Sequence, residues 1–150
     1  MKKQVSVLDV AAYILEKQSK TQPITAWKLQ KLVYYCQAWS LVWDDRPIFN
    51  ARIEAWANGP VLPSVFRLHR GSYYVSSWPN GNKGTLNLQE RGTVNAIVGK
   101  YGNKSSQWLS ELSHREKPWM DARRGLGPLD PGHREITKAA MAEYYSSLVR

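Results

Sequence analysis

Residues 25–43, TAWKLQKLVYYCQAWSLVW, repeat apolar side chains at helical spacing on two opposite faces at once. Leu29, Leu32, Val33, Cys36, Ser40 and Trp43 fall along one face, and Trp27, Tyr34, Ala38 and Leu41 along the other. Gln30 and Lys31 are the main polar interruptions. A helix that is apolar nearly all round is buried in the middle of its domain. This segment is therefore expected to be a central post that the remaining elements wrap.

The flanking sequence supplies those elements. Ser6 and Asp9, three apart before Ala11, Ala12 and Leu15, read as a capping box opening a first helix, which should end at 19–22 ahead of Pro23. Thr25 can cap the central helix while Ile24 packs on Leu29. Asp44-Asp45-Arg46-Pro47 reads as a turn, and 48–49 and 52–56 as short extended pieces. Gly59-Pro60 breaks the chain, and Pro63 suits the first position of a helix running to Arg70.

Asn80-Gly81, between Tyr/Val/Trp and Thr/Leu segments, predicts a small β-hairpin over 72–87, with a loop as the competing reading. Asn87 with Glu90 opens a helix ending at Tyr101-Gly102, and Ser105 or Ser106 opens a short one to His114. Another short helix begins at Pro118-Trp119; 123–132 is a loop; Ile136-Thr137 starts a last helix carrying Met141, Tyr144, Tyr145 and Leu148. The expectation is a mainly α, compact single domain of six to seven helices around the buried helix 25–43.

Composition narrows the function. The 150 residues suit one domain, and no apolar run approaches the roughly 20 residues that span a bilayer. The expected location is the cytoplasm. One cysteine, Cys36, on the apolar stripe, allows no intrachain disulfide and no cysteine-based zinc site. A net charge of +9 favours nucleic acid or an acidic protein partner, although the basic residues are scattered.

Catalytic patterns are lacking. The serines sit at caps and loops, with no G-x-S-x-G elbow. His69, His114 and His133 are far apart in sequence, and His114-Arg115-Glu116 lacks the P-C-x-x-C that a zinc deaminase requires. Gly81-Asn82-Lys83-Gly84 has neither phosphate-loop spacing. No catalytic residue, cofactor or metal site is expected. The central helix presents Leu, Val, Tyr and Trp where a DNA-recognition helix needs polar side chains. Stacking of single strands on Tyr73, Tyr74 and Trp78 beside Arg70 and Lys83 is the better nucleic-acid alternative.

Seven tryptophans and eight tyrosines exceed what a core of this size needs, and such residues dominate protein interfaces. Trp39, Trp43 and Trp56 are expected inside. Trp78, Trp108 and Trp119 are expected at the surface, and with Tyr73, Tyr74 and Lys83 they form the candidate partner-binding set.

KLQKLVYYCQAW, then PIF, then EAWANGPVLPSVFR, then LSELSHREKPWMDAR and ITKAAMAEYY resemble, in order, the signature of the Panacea-domain (SocA-like) antitoxin family, often encoded in prophages. The matching positions are Lys28, Leu29, Lys31, Leu32, Tyr34, Tyr35, Trp56, Gly59, Pro60, Pro63, His114, Pro118, Trp119 and Arg123. The resemblance implies a mostly helical antitoxin that binds a toxin encoded by a neighbouring gene. Delivery of that toxin to the ClpXP protease is a second implied route. Toxin choice is expected to reside in the variable 72–87 region. Lys31 and His114, polar groups in an aromatic setting, are expected to bond internally and tie the central helix to the carboxy-terminal half.

Overall fold

The computed structural model describes residues 4–18, 23–78 and 80–149. Among these, seven α-helices follow in order: α1 Val7–Gln18, α2 Ala26–Trp43, α3 Pro63–His69, α4 Leu88–Tyr101, α5 Ser106–His114, α6 Lys117–Ala122 and α7 Lys138–Ser147. Four short strands, β1 Ile24–Thr25, β2 Glu54–Trp56, β3 Gly59–Val61 and β4 Tyr74–Val75, form two antiparallel pairs, β1–β4 and β2–β3. The architecture is mainly α, as the sequence predicts. No helix is long and apolar enough to cross a membrane among the described residues. The expected end of the first helix at 19–22 lies outside the described residues.

α2 is the post. Helices α1, α3, α4, α5 and α7 all pack on it, and Leu29 through Ser40 are buried without interruption. Thr25 caps it by accepting from the Lys28 amide at 3.1 Å. Each large side chain buried here contributes about 1.5–3 kcal/mol. Cys36 lies fully inside, where burial pushes its thiol up and leaves it unreactive.

Polar atoms inside α2 are spent on holding irregular chain. Gln37 accepts from the Ile48 amide at 2.9 Å and donates to the Phe49 carbonyl at 2.9 Å. Gln30, two turns earlier, does the same for Leu62: it accepts from the amide at 2.8 Å, donates to the carbonyl at 3.2 Å, and lies 3.0 Å from His69 Nε2. Two connecting segments with no sheet to join thereby gain strand-like partners. Tyr35 and Tyr145 both donate to Glu116 Oε1 at 2.7 Å, and Tyr145 meets the Tyr34 hydroxyl at 3.0 Å. This buried cluster joins α2, the start of α6, and α7.

Among the described residues, the hairpin predicted at 72–87 does not form. Tyr74 and Val75 pair instead with Thr25 and Ile24, and the chain then lies along α1. The Asn82 amide donates to Asp9 Oδ1 at 2.8 Å, Lys83 pairs with Glu16 at 2.9 Å, and 83–85 form one 3₁₀ turn. Gly81 serves close approach, since a Cβ there would stand 2.0 Å from the Leu8 carbonyl oxygen. Trp78, expected at the surface, is covered to 9% exposure. Trp43, expected inside, is 45% exposed at the end of α2 and stacks on buried Trp39.

The hairpin that does form lies where the sequence suggests a chain break. β2 and β3 pair Trp56 with Gly59 across Ala57-Asn58, and Gly59 takes φ +117°, a conformation that favours glycine. Its outer edge is covered: the Ala55 amide donates to the Arg134 carbonyl and the Ile136 amide to the Ile53 carbonyl, both at 2.8 Å.

Candidate functional site

The β2–β3 turn lies against the middle of α2 and the α5–α6 corner, and the signature residues gather there. Trp119 donates its indole N–H to the Trp56 carbonyl at 2.8 Å. Arg123, buried, donates to the carbonyls of Ala55 (3.0 Å), Gly127 (3.0 Å) and Asp130 (2.7 Å). A fork of donors that is always charged is suited to three carbonyls at once. His114 stacks on Trp119 with ring centres 4.1 Å apart and planes 14° from parallel. The carboxy-terminal half is thus clasped to a short hairpin.

On the other side of the same turn sits Lys31. The α-helical spacing of Trp27 and Lys31, four residues apart, brings them to one face. The ammonium lies 5.6 Å from the centre of the Trp27 ring. Gly59 makes room for it: a Cβ there would stand 2.7 Å from Lys31 Cε and 3.2 Å from its Nζ. Lys31 is 1% exposed, and no carboxylate or hydrogen-bond acceptor engages its ammonium among the described residues. Burial alone brings its pKa down to about 8.

The internal bonding expected of Lys31 and His114 is met by His114 alone, through the Asn58 backbone; the Lys31 ammonium makes no hydrogen bond or ion pair among the described residues. Burial, followed by the Lys31 charge, holds the His114 imidazole below its usual value and so favours its neutral form. The His114 Nε2 is buried without a partner among the described residues. His69 is lowered in the same manner, by burial first and with Lys31 adding to it.

Lys31 forms part of the wall of a cleft of about 330 Å³ lined also by Trp27, Asn58, Tyr73, Ser106, Gln107 and Ser110. Tyr73, 66% exposed, stands at this cleft with Tyr74 edge-on against it, ring centres 4.7 Å apart. Trp108, on α5, is exposed with Lys104 4.8 Å from its ring centre. The structure therefore brings Tyr73, Tyr74 and Lys31 to one locality. Trp119 is half-buried in the clasp and Trp78 is covered, so these two leave the exposed set, whereas Lys83 pairs with Glu16 on α1 and stays exposed. Asn58, Ser106, Gln107 and Ser110 were not singled out by sequence, because small polar residues at turns and helix starts carry no pattern. The Trp27–Lys31 spacing was the available signal.

The other signature positions serve the scaffold. Lys28 donates to the Gly102 carbonyl at 2.5 Å, Leu29 is core, and Tyr34 and Tyr35 enter the Glu116 cluster. Pro60 lies in β3, Pro63 opens α3, and Pro118 is buried in α6. Among the described residues, no group of three or more His, Cys, Asp or Glu is placed to hold a metal ion.

No solved structure matches the chain. Antitoxin SocA of Caulobacter vibrioides (strain NA1000 / CB15N) is 42% identical over 59 residues, 39% of this chain. The chain spans under a third of that relative's length, 31%. Residues 29–120, which hold most of α2, the β2–β3 hairpin, α5 and most of α6, match the family described as Antitoxin SocA-like, Panacea domain. The chain belongs to the SocA-like antitoxin family that carries the Panacea domain.

Proposed function

We propose that this chain is a cytoplasmic, non-enzymatic antitoxin, acting as one domain that neutralises a protein toxin from a neighbouring gene by binding it directly. The observation that carries the reading is the exposed Tyr73–Tyr74 pair beside a recessed cleft whose buried lysine has no pairing partner among the described residues. Exposed aromatics around a small pocket are the composition of an interface centre. Toxin choice is set by the exposed aromatics of residues 73–74.

Co-expression with the neighbouring gene's product tests this. Growth rescue with a co-purifying complex is the expected result. Tyr73→Ala with Tyr74→Ala should weaken the complex at least tenfold while leaving the melting temperature within a few degrees, as exposed side chains do. Rescue without any complex, lost in a host lacking ClpXP, would replace direct neutralisation by delivery to the protease. A harmless neighbour that does not co-purify would overturn the reading.

A further inference from the structure

Burying an ammonium without a counter-charge is costly, and folded proteins pair or hydrate such groups. Lys31 has neither a carboxylate nor a hydrogen-bond acceptor engaging its ammonium among the described residues. Lys31 acts on His69 and His114, both basic; the Glu111 carboxylate reaches His114, but among the described residues no carboxylate acts on Lys31, whose shift has burial as its one cause. The Trp27 face offers partial compensation for lost water, as ring faces do for cations. The way in is the cleft, about 330 Å³, with hydroxyl and amide groups of Ser106, Gln107, Ser110 and Asn58 in its walls. The backbone is arranged around this ammonium too. Gly59 lies so close that any side chain would displace it.

Resting on the toxin-binding reading above, we infer that this cleft receives an aspartate or glutamate side chain projecting from the toxin, which pairs with the Lys31 ammonium. A carboxylate on a short stem suits a single recessed cation under aromatic rims. A phosphodiester backbone is better met by exposed arrays of basic side chains that track many phosphates. The positive balance of the chain, +9, draws an acidic partner towards the molecule.

The test uses the full chain and the toxin identified by co-purification. Lys31→Met keeps the length and apolar stem while removing the charge, and its fold is checked by near-ultraviolet circular dichroism and thermal melting. It should weaken toxin binding about 100-fold, mainly through faster dissociation. One acid-to-amide change on the toxin should cause a similar loss, and combining the two should add little further. In a chain labelled with ¹³C at lysine Cε, the resonance absent from Lys31→Met should titrate near pH 8 alone and move its midpoint upward by at least one unit in the complex. A complex equally tight with Lys31→Met, or an unmoved Lys31 midpoint, would overturn this inference and leave the binding reading standing. Failure of the unaltered chain to form any complex would overturn both.

Discussion

Lys31 has a cost that a melting experiment can read. Its folded-state pKa of about 8 lies below the ordinary 10.5, so between those values the unfolded chain holds a proton that the folded chain has released. Stability contributed by this residue therefore rises with pH through that window and is at its lowest at neutral pH and below. Lys31→Met should stabilise the protein by about 1–3 kcal/mol at pH 7. That advantage should shrink as pH climbs from 8 to 10, measured as the difference between urea midpoints. A pair of glycine substitutions separates crowding from backbone strain. Gly59→Ala places a methyl against Lys31 at φ +117°, whereas Gly71→Ala, at φ +87°, meets nothing within 4 Å. Gly71→Ala should cost about 1 kcal/mol and Gly59→Ala at least about 2 kcal/mol, compared by denaturant melts. At this scale the sequence was read unevenly. Cys36, Leu29 and the caps behave as their types dictate, because local rules decide them. Trp43 and Trp78 exchanged their expected places, because a tryptophan's exposure depends on what arrives from far along the chain.

Among the elements, helices and the extended piece that holds β2 were legible and strand pairings were not. α2, α4 and α7 begin at caps visible in the sequence, with Thr25, Asn87 and Thr137 each accepting from a backbone amide. Hairpins need a partner as well as a turn. Asn80-Gly81 supplies a turn signal, but α1 supplies the better hydrogen-bond partners, and the segment lies on it. Trp56 and Gly59 close a real hairpin at Asn58-Gly59, a turn signal masked in the sequence by the following Pro60, and Arg123, Trp119 and residues 134–136 hold its carbonyls and outer edge. That dependence has a measurable form. Arg123→Lys keeps the charge but cannot serve three carbonyls in the same geometry, and should cost about 2–3 kcal/mol in thermal or denaturant unfolding. The candidate cleft was half legible for the same reason: Lys31 and Tyr73 stand out in the sequence, but only the fold brings α2, the β2–β3 turn and α5 around one space.

For the molecule as a whole, the charge of +9 and the recessed lysine predict different salt responses. Surface attraction is screened over about 10 Å at 0.1 M salt, while a desolvated pair is screened little. Raising sodium chloride from 50 to 300 mM should slow toxin association severalfold and leave dissociation nearly unchanged, as read by surface plasmon resonance. An affinity falling by orders of magnitude would indicate phosphate-type binding instead.

The tyrosine cluster on Glu116 carries a consequence for how the chain is made. Tyr34 and Tyr35 leave the ribosome early, but the α7 residue that completes their hydroxyl network, Tyr145, follows about a hundred residues later, roughly 5–20 s at ordinary synthesis rates. Until then one flank of α2 is bare, and proteases meet an unfinished core. Ribosome-stalled chains released only as far as residue 135 should be cut rapidly in the α2 region, and those released past 147 should resist. A chain whose core closes only once α7 has emerged is open to proteolysis whenever translation halts before that helix is made.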